Sequence, residues 1–425
     1  MRSPDRLGRR SVRAFRFVLA GLLLAGLGAG QSGVDISQSQ EIFSEIGSIL
    51  QDLHEITGFK IRHRVPAEII TRDKVKDFLA KRMKEATSPE EIRVEELTLK
   101  KFGFVPQNFD LAKNTLDLLT EQAAAFYDFH KKSLFITDWT PSATREPALV
   151  HELGHALADQ NVNLEKFIKQ GRKSDDGAMA RLAVMEGQAS WLMAEYLARK
   201  AGQTLASSPA MLDAMAQSVE SSAGQFPVFE SEPLYLRETL VFPYGQGMIF
   251  QNAVYQKMKQ QAFEEVFRNA PVSTQQIIHP DKYFGGVKPT TPALPELPEP
   301  HGYKRIADGT LGELDFSILL EQYCGKEESS AVAPHWRGAL YALMEHHSPD
   351  RVVLLYSAEW DDAASAQRYF GLYRKVLEKK WKQMKIDTES AGTLAGMGDD
   401  GYFRVTLEGN VVTSLEGAEN PVPVR

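Results

Sequence analysis

Apolar residues recur at helical spacing along most of the chain before residue 286. In residues 41–56 they fall on one face of a helix: Ile42, Ile46, Ile49, Leu50 and Leu53. The same periodicity predicts further helices over residues 73–84, 90–99, 111–122, 141–160, 176–200, 209–220 and 244–260. This part of the chain is therefore expected to be mainly helical.

Two segments in this region have the pattern of strands. Residues 60–70 are expected to be extended. Between 123 and 136, two short apolar stretches flank a polar turn, which is typical of a β-hairpin. The stretches are Phe126-Tyr127-Asp128 and Leu134-Phe135-Ile136, and the turn is His130-Lys131-Lys132-Ser133. Further along, Ser273 and Gln276 have the spacing of a capping box and predict the start of a helix.

A run of prolines in residues 287–300 favours an extended linker or strap, and we predict a domain boundary there. Beyond it, strands are expected at 339–345 and 351–357, a long helix at 361–384, and a hairpin with strands at 402–407 and 411–415. His346 and His347 are expected to be solvated in a loop.

The predicted fold class is α+β. A mostly helical domain with a small edge hairpin is expected over residues 31–286, in which 31–122 form a helical and extended N-terminal part. A smaller C-terminal α/β domain is expected over residues 301–425.

The first 30 residues have the composition of a secretory signal peptide. An arginine-rich start precedes an apolar stretch from Phe17 to Leu27, and Gly28-Ala29-Gly30 offers small residues for cleavage. The apolar stretch is shorter than the about 20 residues that a membrane-spanning helix requires. The mature protein is therefore expected to be exported to the periplasm or the extracellular space; an uncleaved N-terminal anchor is the alternative.

Composition limits the function further. The chain has 425 residues and a net charge of −7, which gives no electrostatic footprint for nucleic acid. No second apolar stretch is long enough to cross a membrane, so no membrane span is expected in the mature chain. Cys324 is the only cysteine, which excludes an intrachain disulfide, and a partly buried position is the default for this side chain.

The segment His151-Glu152-Leu153-Gly154-His155 carries the most specific chemical signal. On a helix, His151 and His155 project from one face and can bind one metal ion. Glu152 is turned about 100° from His151, where it can take a proton from metal-bound water. The segment lies among apolar residues, so its imidazoles and carboxylate need partners, which a metal supplies.

A catalytic zinc ion normally has three protein ligands and one open position. Glu186, on the next predicted helix, is the candidate for the third ligand. It is surrounded by apolar residues, where a carboxylate is costly unless it binds a cation or a strong donor. The pattern therefore predicts a zinc (Zn²⁺) site formed by His151, His155 and Glu186, with Glu152 as the general base.

These residues resemble the gluzincin metallopeptidases, the thermolysin-like group, in which a glutamate on the helix after the His-Glu-x-x-His helix is the third ligand. A closer resemblance is to a bacterial set in which His-Ala-Leu-x-Asp-Gln follows the motif, as in residues 155–160. That set also has Tyr-x-x-Gly and Ile-x-His-Pro-x-Lys-Tyr segments, which match residues 244–247 and 277–283. The resemblance covers about residues 90–285 and implies a zincin-like fold.

The resemblance also implies how the reaction is assisted. Gluzincins stabilise the developing oxyanion with a downstream His or Tyr, for which His279, Tyr283 and Tyr244 are the candidates; His279 has the best sequence context. They also place an edge strand ahead of the zinc helix, which binds extended substrate, and residues 123–136 have that position. An ordinary structural hairpin is the alternative for this segment.

One position departs from the thermolysin-like pattern. Those enzymes have an aspartate four residues after the ligand glutamate, where it orients a zinc-bound imidazole, but Ser190 stands there in this chain. Asp159, one turn beyond His155, is the expected substitute. Without a substitute, metal affinity and catalytic strength are expected to be lower.

Together these features predict an exported zinc metallopeptidase that hydrolyses peptide bonds in a peptide or protein substrate. A second hypothesis is a catalytically silent, zinc-stabilised binding protein of the cell envelope, with the C-terminal domain as its interaction module. The departure at Ser190 is compatible with that hypothesis. A cleavage product that depends on both metal and Glu152 would distinguish the two.

Overall fold

The computed structural model describes residues 36–171, 173–223, 226–298, 300–347 and 350–420. The expected signal peptide, residues 1–30, lies outside these ranges. Within them, no helix is both long and apolar enough to span a membrane.

The N-terminal part is helical, as the apolar periodicity predicted. Its helices are α1 (Ile36–Thr57), α2 (Arg72–Ala86), α3 (Pro89–Phe102) and α4 (Leu111–Gln122). Ser88 begins α3 through a capping box with Glu91, and Asp110 caps α4 by accepting from the backbone N–H of Lys113. These local contacts explain why α3 and α4 begin where they do.

A small sheet follows these helices. β2 (Ala125–Asp128) and β3 (Ser133–Thr137) form the predicted antiparallel hairpin, and β1 (Ala67–Ile70) pairs in parallel with β3. β2 is therefore one edge of the sheet. Only the end of the expected extended segment 60–70 is a strand; the backbone of its first residues is held by the side chains of Gln160 and Asn161.

Three helices carry the centre of this half. α5 (Ser142–Val162) contains the His-Glu-x-x-His segment, α6 (Leu164–Gly171) is short, and α7 (Asp175–Lys200) contains Glu186. The predictions for α5 and α7 are confirmed to within two residues at each end. Ser174 caps α7 by accepting from the backbone N–H of Gly177.

The remaining helices of this half are α8 (Pro209–Ala223), α9 (Pro227–Ser231), α10 (Leu234–Met258), α11 (Ala262–Arg268), α12 (Thr274–Ile278) and α13 (Pro280–Phe284). The predicted start of α10 at residue 244 was wrong: the helix begins at Leu234, ten residues earlier, and Pro243 lies inside it. A proline lacks the N–H that a helix interior uses and normally marks a boundary. Ser273 caps α12 by accepting from the N–H of Gln276, as its spacing predicted.

Residues 288–298 contain neither helix nor strand. The segment is held against the C-terminal half, since Thr290 donates its N–H to the carbonyl of Arg337 and Pro292 is buried. It is therefore a strap along the protein surface. The domain boundary placed there stays a prediction.

In the described part of the C-terminal half, seven strands form one sheet: β4 (Tyr303–Thr310), β5 (Trp336–His347), β6 (Asp350–Trp360), β7 (Lys385–Glu389), β8 (Thr393–Gly398), β9 (Gly401–Glu408) and β10 (Val411–Ala418). The order is β4–β5–β6–β10–β9–β8–β7, and every neighbouring pair is antiparallel. This half is therefore α+β, which corrects the expected α/β arrangement. The strands predicted at 339–345 and 351–357 and the hairpin at 402–415 are confirmed.

Three helices accompany this sheet: α14 (Glu313–Cys324), α15 (Lys326–Val332) and α16 (Ala363–Lys380), the last being the predicted long helix. Cys324 is partly buried, as expected. His346 and His347 were wrongly expected in a loop; they end β5, with ring centroids 5.0 Å apart.

The two halves are joined by buried contacts. Phe102, at the end of α3, packs against Tyr356 of β6. The first turn of α7 lies against β4, where Thr310 donates its N–H to Asp175 at 3.2 Å and shares a hydroxyl contact of 2.9 Å with Ser174. The helix that carries Glu186 is therefore held at its start by the C-terminal half.

Candidate metal centre

α5 places His151, Glu152 and His155 in the interior of the protein. Apolar residues on both sides of the motif bury this stretch: Leu149, Val150, Leu153, Ala156 and Leu157. His151 and Glu152 have a relative exposure of 0% and His155 of 4%. Since these polar side chains are removed from bulk water, each needs a partner in the protein or a bound ligand.

α7 brings Glu186 to the same point. Its Oε2 lies 3.1 Å from Nε2 of His151 and 3.2 Å from Nε2 of His155, and the two nitrogens are 3.1 Å apart. Glu186 is fully buried. Among the residues that the structure describes, these three form the one group of His, Cys, Asp or Glu side chains arranged to hold a metal ion.

Two glycines determine how closely the helices cross. A Cβ atom on Gly187 of α7 would lie 2.1 Å from the carbonyl carbon of Gly247 of α10. A Cβ atom on Gly247 would lie 2.2 Å from the carbonyl oxygen of Ala183. Because glycine has no Cβ, the two backbones can touch here. The contact fixes Glu186 and Tyr244, which are one and three residues away from these glycines.

The three ligand atoms are compatible with a tetrahedral zinc ion. Zinc binds imidazole nitrogen and carboxylate oxygen at about 2.0–2.2 Å, which separates two ligand atoms of a tetrahedron by about 3.3–3.6 Å. The observed separations of 3.1 and 3.2 Å are only slightly shorter. Two imidazoles and one carboxylate are also a known donor set for catalytic zinc. The residues present therefore fit this metal.

Burial and mutual contact determine the charges of the cluster. Burial alone would raise the pKa of Glu186, but His155 and His151 outweigh it and hold the pKa at about 2. Burial lowers the pKa of His151 to about 4. Burial also lowers the pKa of His155, but the surrounding carboxylates, Glu186 first, outweigh it and raise the pKa above its usual value.

The backbone of β2 holds Glu152. The N–H of Tyr127 donates to Oε2 of Glu152 at 2.7 Å, whereas Oε1 is buried without a hydrogen-bond partner among the described residues. Burial raises the pKa of Glu152 to about 8, and the charge of Glu186 adds to this effect. One oxygen is thus fixed by the protein, and the other is left for water or a ligand.

Asp159 has partners other than the expected one. Its Oδ2 accepts from the hydroxyl of Tyr127 at 3.0 Å and from the ammonium of Lys132 at 2.5 Å, and its Oδ1 accepts from the N–H of Leu164 at 3.0 Å. Instead of orienting His155, Asp159 joins the β2–β3 hairpin to α5. It acts on the cluster through Tyr127, whose N–H holds Glu152.

The departure at Ser190 coincides with a missing hydrogen bond. Nδ1 of His151 is buried and has no partner among the described residues. A metal-binding histidine usually donates this N–H to a carboxylate or carbonyl, which fixes the ring and raises its basicity. Because Nδ1 of His151 lacks such an acceptor, a lower metal affinity is still expected.

Tyr244 lies directly against the cluster. Its ring packs on the ring of His151 with centroids 5.8 Å apart, and its hydroxyl hydrogen-bonds to Glu186. Burial raises the pKa of Tyr244 well above its usual value, with Glu186 and Glu152 adding to the effect. Tyr244 therefore stays protonated and can donate a hydrogen bond.

The other two candidates for oxyanion stabilisation have partners elsewhere. Nε2 of His279, between α12 and α13, lies 2.7 Å from Oε1 of Glu313 in α14. The hydroxyl of Tyr283 donates to the carbonyl of Asn269 at 2.9 Å. The structure thus gives His279 and Tyr283 contacts that join helices, and it brings Tyr244 to the metal-binding residues.

β2 is at the edge of its sheet, where a substrate-binding strand was expected. The N–H of Tyr127 is directed towards Glu152. All four residues of β2 are nevertheless buried. A polypeptide can pair with this edge only after the covering residues move, and substrate binding by β2 stays a prediction.

The contact between Tyr127 and Glu152 was not predicted from the sequence, because nearly every residue has a backbone N–H and the residue type therefore gives no signal. The signal that pointed to it was the hairpin directly ahead of α5. The contact of Gly187 with Gly247 was missed as well, although both glycines lie in the segments that carry the resemblance.

Comparison with known proteins concerns the C-terminal half. Residues 300–422, less than a third of the chain, match a family described as "Domain of unknown function (DUF8575)". No curated protein and no solved structure matches the chain. The matched segment contains none of the residues of the metal-binding cluster.

Proposed function

We propose that the protein is a zinc-dependent peptidase of the gluzincin type, exported to the periplasm or the extracellular space. The observation that carries the proposal is the buried cluster of His151, His155 and Glu186, whose ligand atoms lie within 3.2 Å of one another. Glu152 stands beside this cluster with one oxygen fixed by Tyr127. A three-ligand site next to a general base supports metal-assisted hydrolysis.

In this proposal His151, His155 and Glu186 would hold a zinc ion, which would serve as a Lewis acid for water and for the peptide carbonyl. The positive charge of the metal would favour the ionised form of Glu152 against the effect of burial. The Glu152 carboxylate would then take the proton of the attacking water and pass it to the leaving amine. The N–H of Tyr127 keeps the carboxylate oriented for both transfers. Tyr244, kept protonated by burial, donates to the developing oxyanion. We assign this last role to Tyr244 because its hydroxyl lies at the cluster, bonded to Glu186, whereas His279 and Tyr283 bond to residues outside the cluster.

The proposed substrate is a peptide or protein in an extended conformation. β2 is an edge strand whose backbone faces Glu152, so a substrate strand added there would pass the reacting groups. Binding through backbone hydrogen bonds tolerates many side chains. Burial of β2 means that this binding requires an opened state.

A catalytically silent, zinc-stabilised binding protein of the cell envelope is the second candidate. The observation that favours it is the closure of the site: His151, Glu152 and Glu186 have no exposed surface, and β2 is buried throughout. The unpartnered Nδ1 of His151 is also compatible with a site that retains a metal for stability alone.

Elemental analysis of the purified full chain tests the metal centre. We expect about one zinc per chain, lost in His151→Ala, since two ligands do not hold catalytic zinc. His335→Ala is the matched control, because this half-exposed histidine lies in the C-terminal half. A chain that takes up no zinc from excess zinc would refute the peptidase.

Turnover is tested on a mixture of denatured polypeptides, with new termini identified by mass spectrometry. Glu152→Gln should keep its zinc but cleave at least about a hundredfold more slowly than wild type, because the general base is removed. Glu146→Gln is the control on the same helix, where the carboxylate binds the exposed Lys200. A zinc-loaded wild type without cleavage would favour the silent binding protein.

A further inference from the structure

Two basic segments lie side by side next to the metal centre. One segment, residues 60–64, leads into β1, and the other, residues 130–132, leads into β3. The N–H of Leu134 donates to the carbonyl of Pro66 at 2.8 Å, and Ala67 is paired with Leu134 in parallel register. We call the exposed side chains of the two segments the basic face: Lys60, Arg62, His63, Arg64, His130, Lys131 and Lys132.

The backbone of the first segment is held by the end of α5. The side-chain oxygen of Gln160 accepts from the N–H groups of Arg62 at 2.7 Å and His63 at 3.0 Å, and its amide donates to the carbonyl of His63. Asn161 both accepts from and donates to the backbone of Lys60 at 3.1 Å. The loop is thus fixed through its backbone, which leaves its cationic side chains directed to solvent.

The charge of the basic face is compensated only in part, by acidic partners of Lys132 and of His130, whose Nδ1 lies 3.6 Å from Oε1 of Glu165. Among the described residues, no carboxylate lies within 4 Å of the side-chain nitrogens of Lys60, Arg62 or Arg64, so none of them has an ion pair there. Lys132 is paired with the buried Asp159. The whole chain, in contrast, has a net charge of −7. A local cationic surface on an anionic protein attracts anionic partners over about a Debye length.

The basic face continues directly from the edge strand. β2 ends at Asp128, and the turn with His130, Lys131 and Lys132 follows at once. Tyr127, in the same strand, holds Glu152 through its N–H. A polypeptide that lay along β2 past Glu152 would therefore extend over the basic face on one side of the reacting groups.

We infer that the basic face binds acidic side chains of a polypeptide, and that it selects substrates with acidic residues on one side of the cleaved bond. The selection of substrates rests on the proposed peptidase function, whereas the binding of acidic side chains does not depend on it. Gln160 and Asn161, at the end of the helix that bears His151 and His155, hold the backbone that carries Lys60, Arg62 and His63, so an acidic segment bound there would be aligned with the cluster.

An anionic membrane fits the basic face less well. Surfaces that bind membranes combine cations with large apolar side chains that enter the lipid. Among the described residues, the exposed large hydrophobic side chains are Ile61, Val272 and Met397, and only Ile61 belongs to this segment. The surface therefore has the charge for an anionic partner without the apolar face that membrane insertion uses.

Binding is measured with the full chain carrying Glu152→Gln, so that no peptide is consumed. Two peptides of equal length are compared, one rich in glutamate and the other with glutamine at the same positions. The acidic peptide should bind more tightly, and the difference should shrink as salt is raised from 50 to about 500 mM. The double variant Arg62→Gln with Arg64→Gln should bind the acidic peptide about 2- to 30-fold more weakly, because two exposed ion pairs with the peptide are lost.

Lys326→Gln with Lys382→Gln is the matched control, because it removes the same charge from exposed positions in the C-terminal half. Equal binding of the two peptides, or equal losses in the two double variants, would overturn the inference. Binding of phosphatidylserine vesicles that needs Arg62 and Arg64, without binding of the acidic peptide, would overturn it in favour of a membrane partner.

Cleavage of the same peptides by wild type separates this inference from the proposed function. Acid-dependent binding without any cleavage would refute the peptidase and leave the basic face as a docking surface. Cleavage of both peptides at equal rates would support the peptidase and refute the selection of acidic substrates. Faster cleavage of the acidic peptide, lost in Arg62→Gln with Arg64→Gln, is the result that we expect.

Discussion

Replacement of Gly247 by alanine should destabilise the protein and disturb the metal centre, whereas replacement of Gly154 should not. A Cβ atom on Gly247 would lie 2.2 Å from the carbonyl oxygen of Ala183 and 2.9 Å from Cα of Gly187. Both are backbone atoms of α7, which cannot yield unless the helix moves. A Cβ atom on Gly154 would instead lie 3.5 Å from Cα of Ala189, an ordinary van der Waals distance.

Two opposing effects determine the size of each change. In a helix interior, alanine is favoured over glycine by about 1 kcal/mol. At Gly247 the helices must separate by about 1 Å to reach an ordinary contact, and overpacking that only backbone can relieve costs about 3 kcal/mol. We therefore expect Gly247→Ala to lower the free energy of unfolding by about 2 kcal/mol, and Gly154→Ala to raise it by up to about 1 kcal/mol.

Denaturant unfolding in the presence of a chelator measures both values without a contribution from bound metal. Zinc affinity is measured separately by competition with a chromophoric chelator. It should fall in Gly247→Ala, since separation of the helices moves Glu186 and Tyr244 relative to α5. Equal unfolding free energies for Gly247→Ala and Gly154→Ala would refute the reasoning, as would wild-type zinc affinity in Gly247→Ala.

Three other perturbations test separate parts of the structure. Burial raises the pKa of Glu232 from 4.5 to about 6, so its contribution to stability is complete below pH 4.5 and is lost as the pH rises through 6. Glu232→Gln should thus match wild type at pH 4 and exceed it at pH 8 by at most about 2 kcal/mol in thermal unfolding; equal stability at both pH values would contradict this. Asp176→Ala should lower the denaturant unfolding free energy by about 1–3 kcal/mol, because the N–H and hydroxyl of Thr274 lose their acceptor; an unchanged value would show that the contact contributes nothing. Removal of zinc by chelation should lower the melting temperature, and zinc at a hundred times its Kd should restore about 2.7 kcal/mol in wild type but not in His151→Ala.

The clustering of the candidate metal ligands could be predicted from the sequence because the signal of each residue lies within a single helix. The spacing of His151 and His155 puts both rings on one face of α5, and the helix was correctly placed by its apolar periodicity. Glu186 followed from the cost of a carboxylate in an apolar helix, and it is fully buried, as that argument requires.

Contacts between distant segments could not be predicted in this way. Asp159 was assigned to His155, its neighbour on α5, but its partners Tyr127 and Lys132 come from a hairpin 32 and 27 residues away. Which residues of that hairpin lie against α5 cannot be read from a local sequence pattern. β7 was also missed, because its residues are mostly exposed and lack the alternation of a half-buried strand.

The described part of the C-terminal half contributes no residue to the candidate metal centre, yet it contacts the helix that carries Glu186. Asp175, in the first turn of α7, is held by Thr310 of β4, whereas its neighbour Asp176 is held by Thr274 of α12, in the N-terminal half. Glu186 lies ten residues further on the same helix, about three turns or 15 Å away. β4 therefore holds the start of α7, while the contact of Gly187 with Gly247 fixes the same helix beside Glu186. The helix that carries Glu186 is therefore held at one end by the half of the chain that matches a family of unknown function.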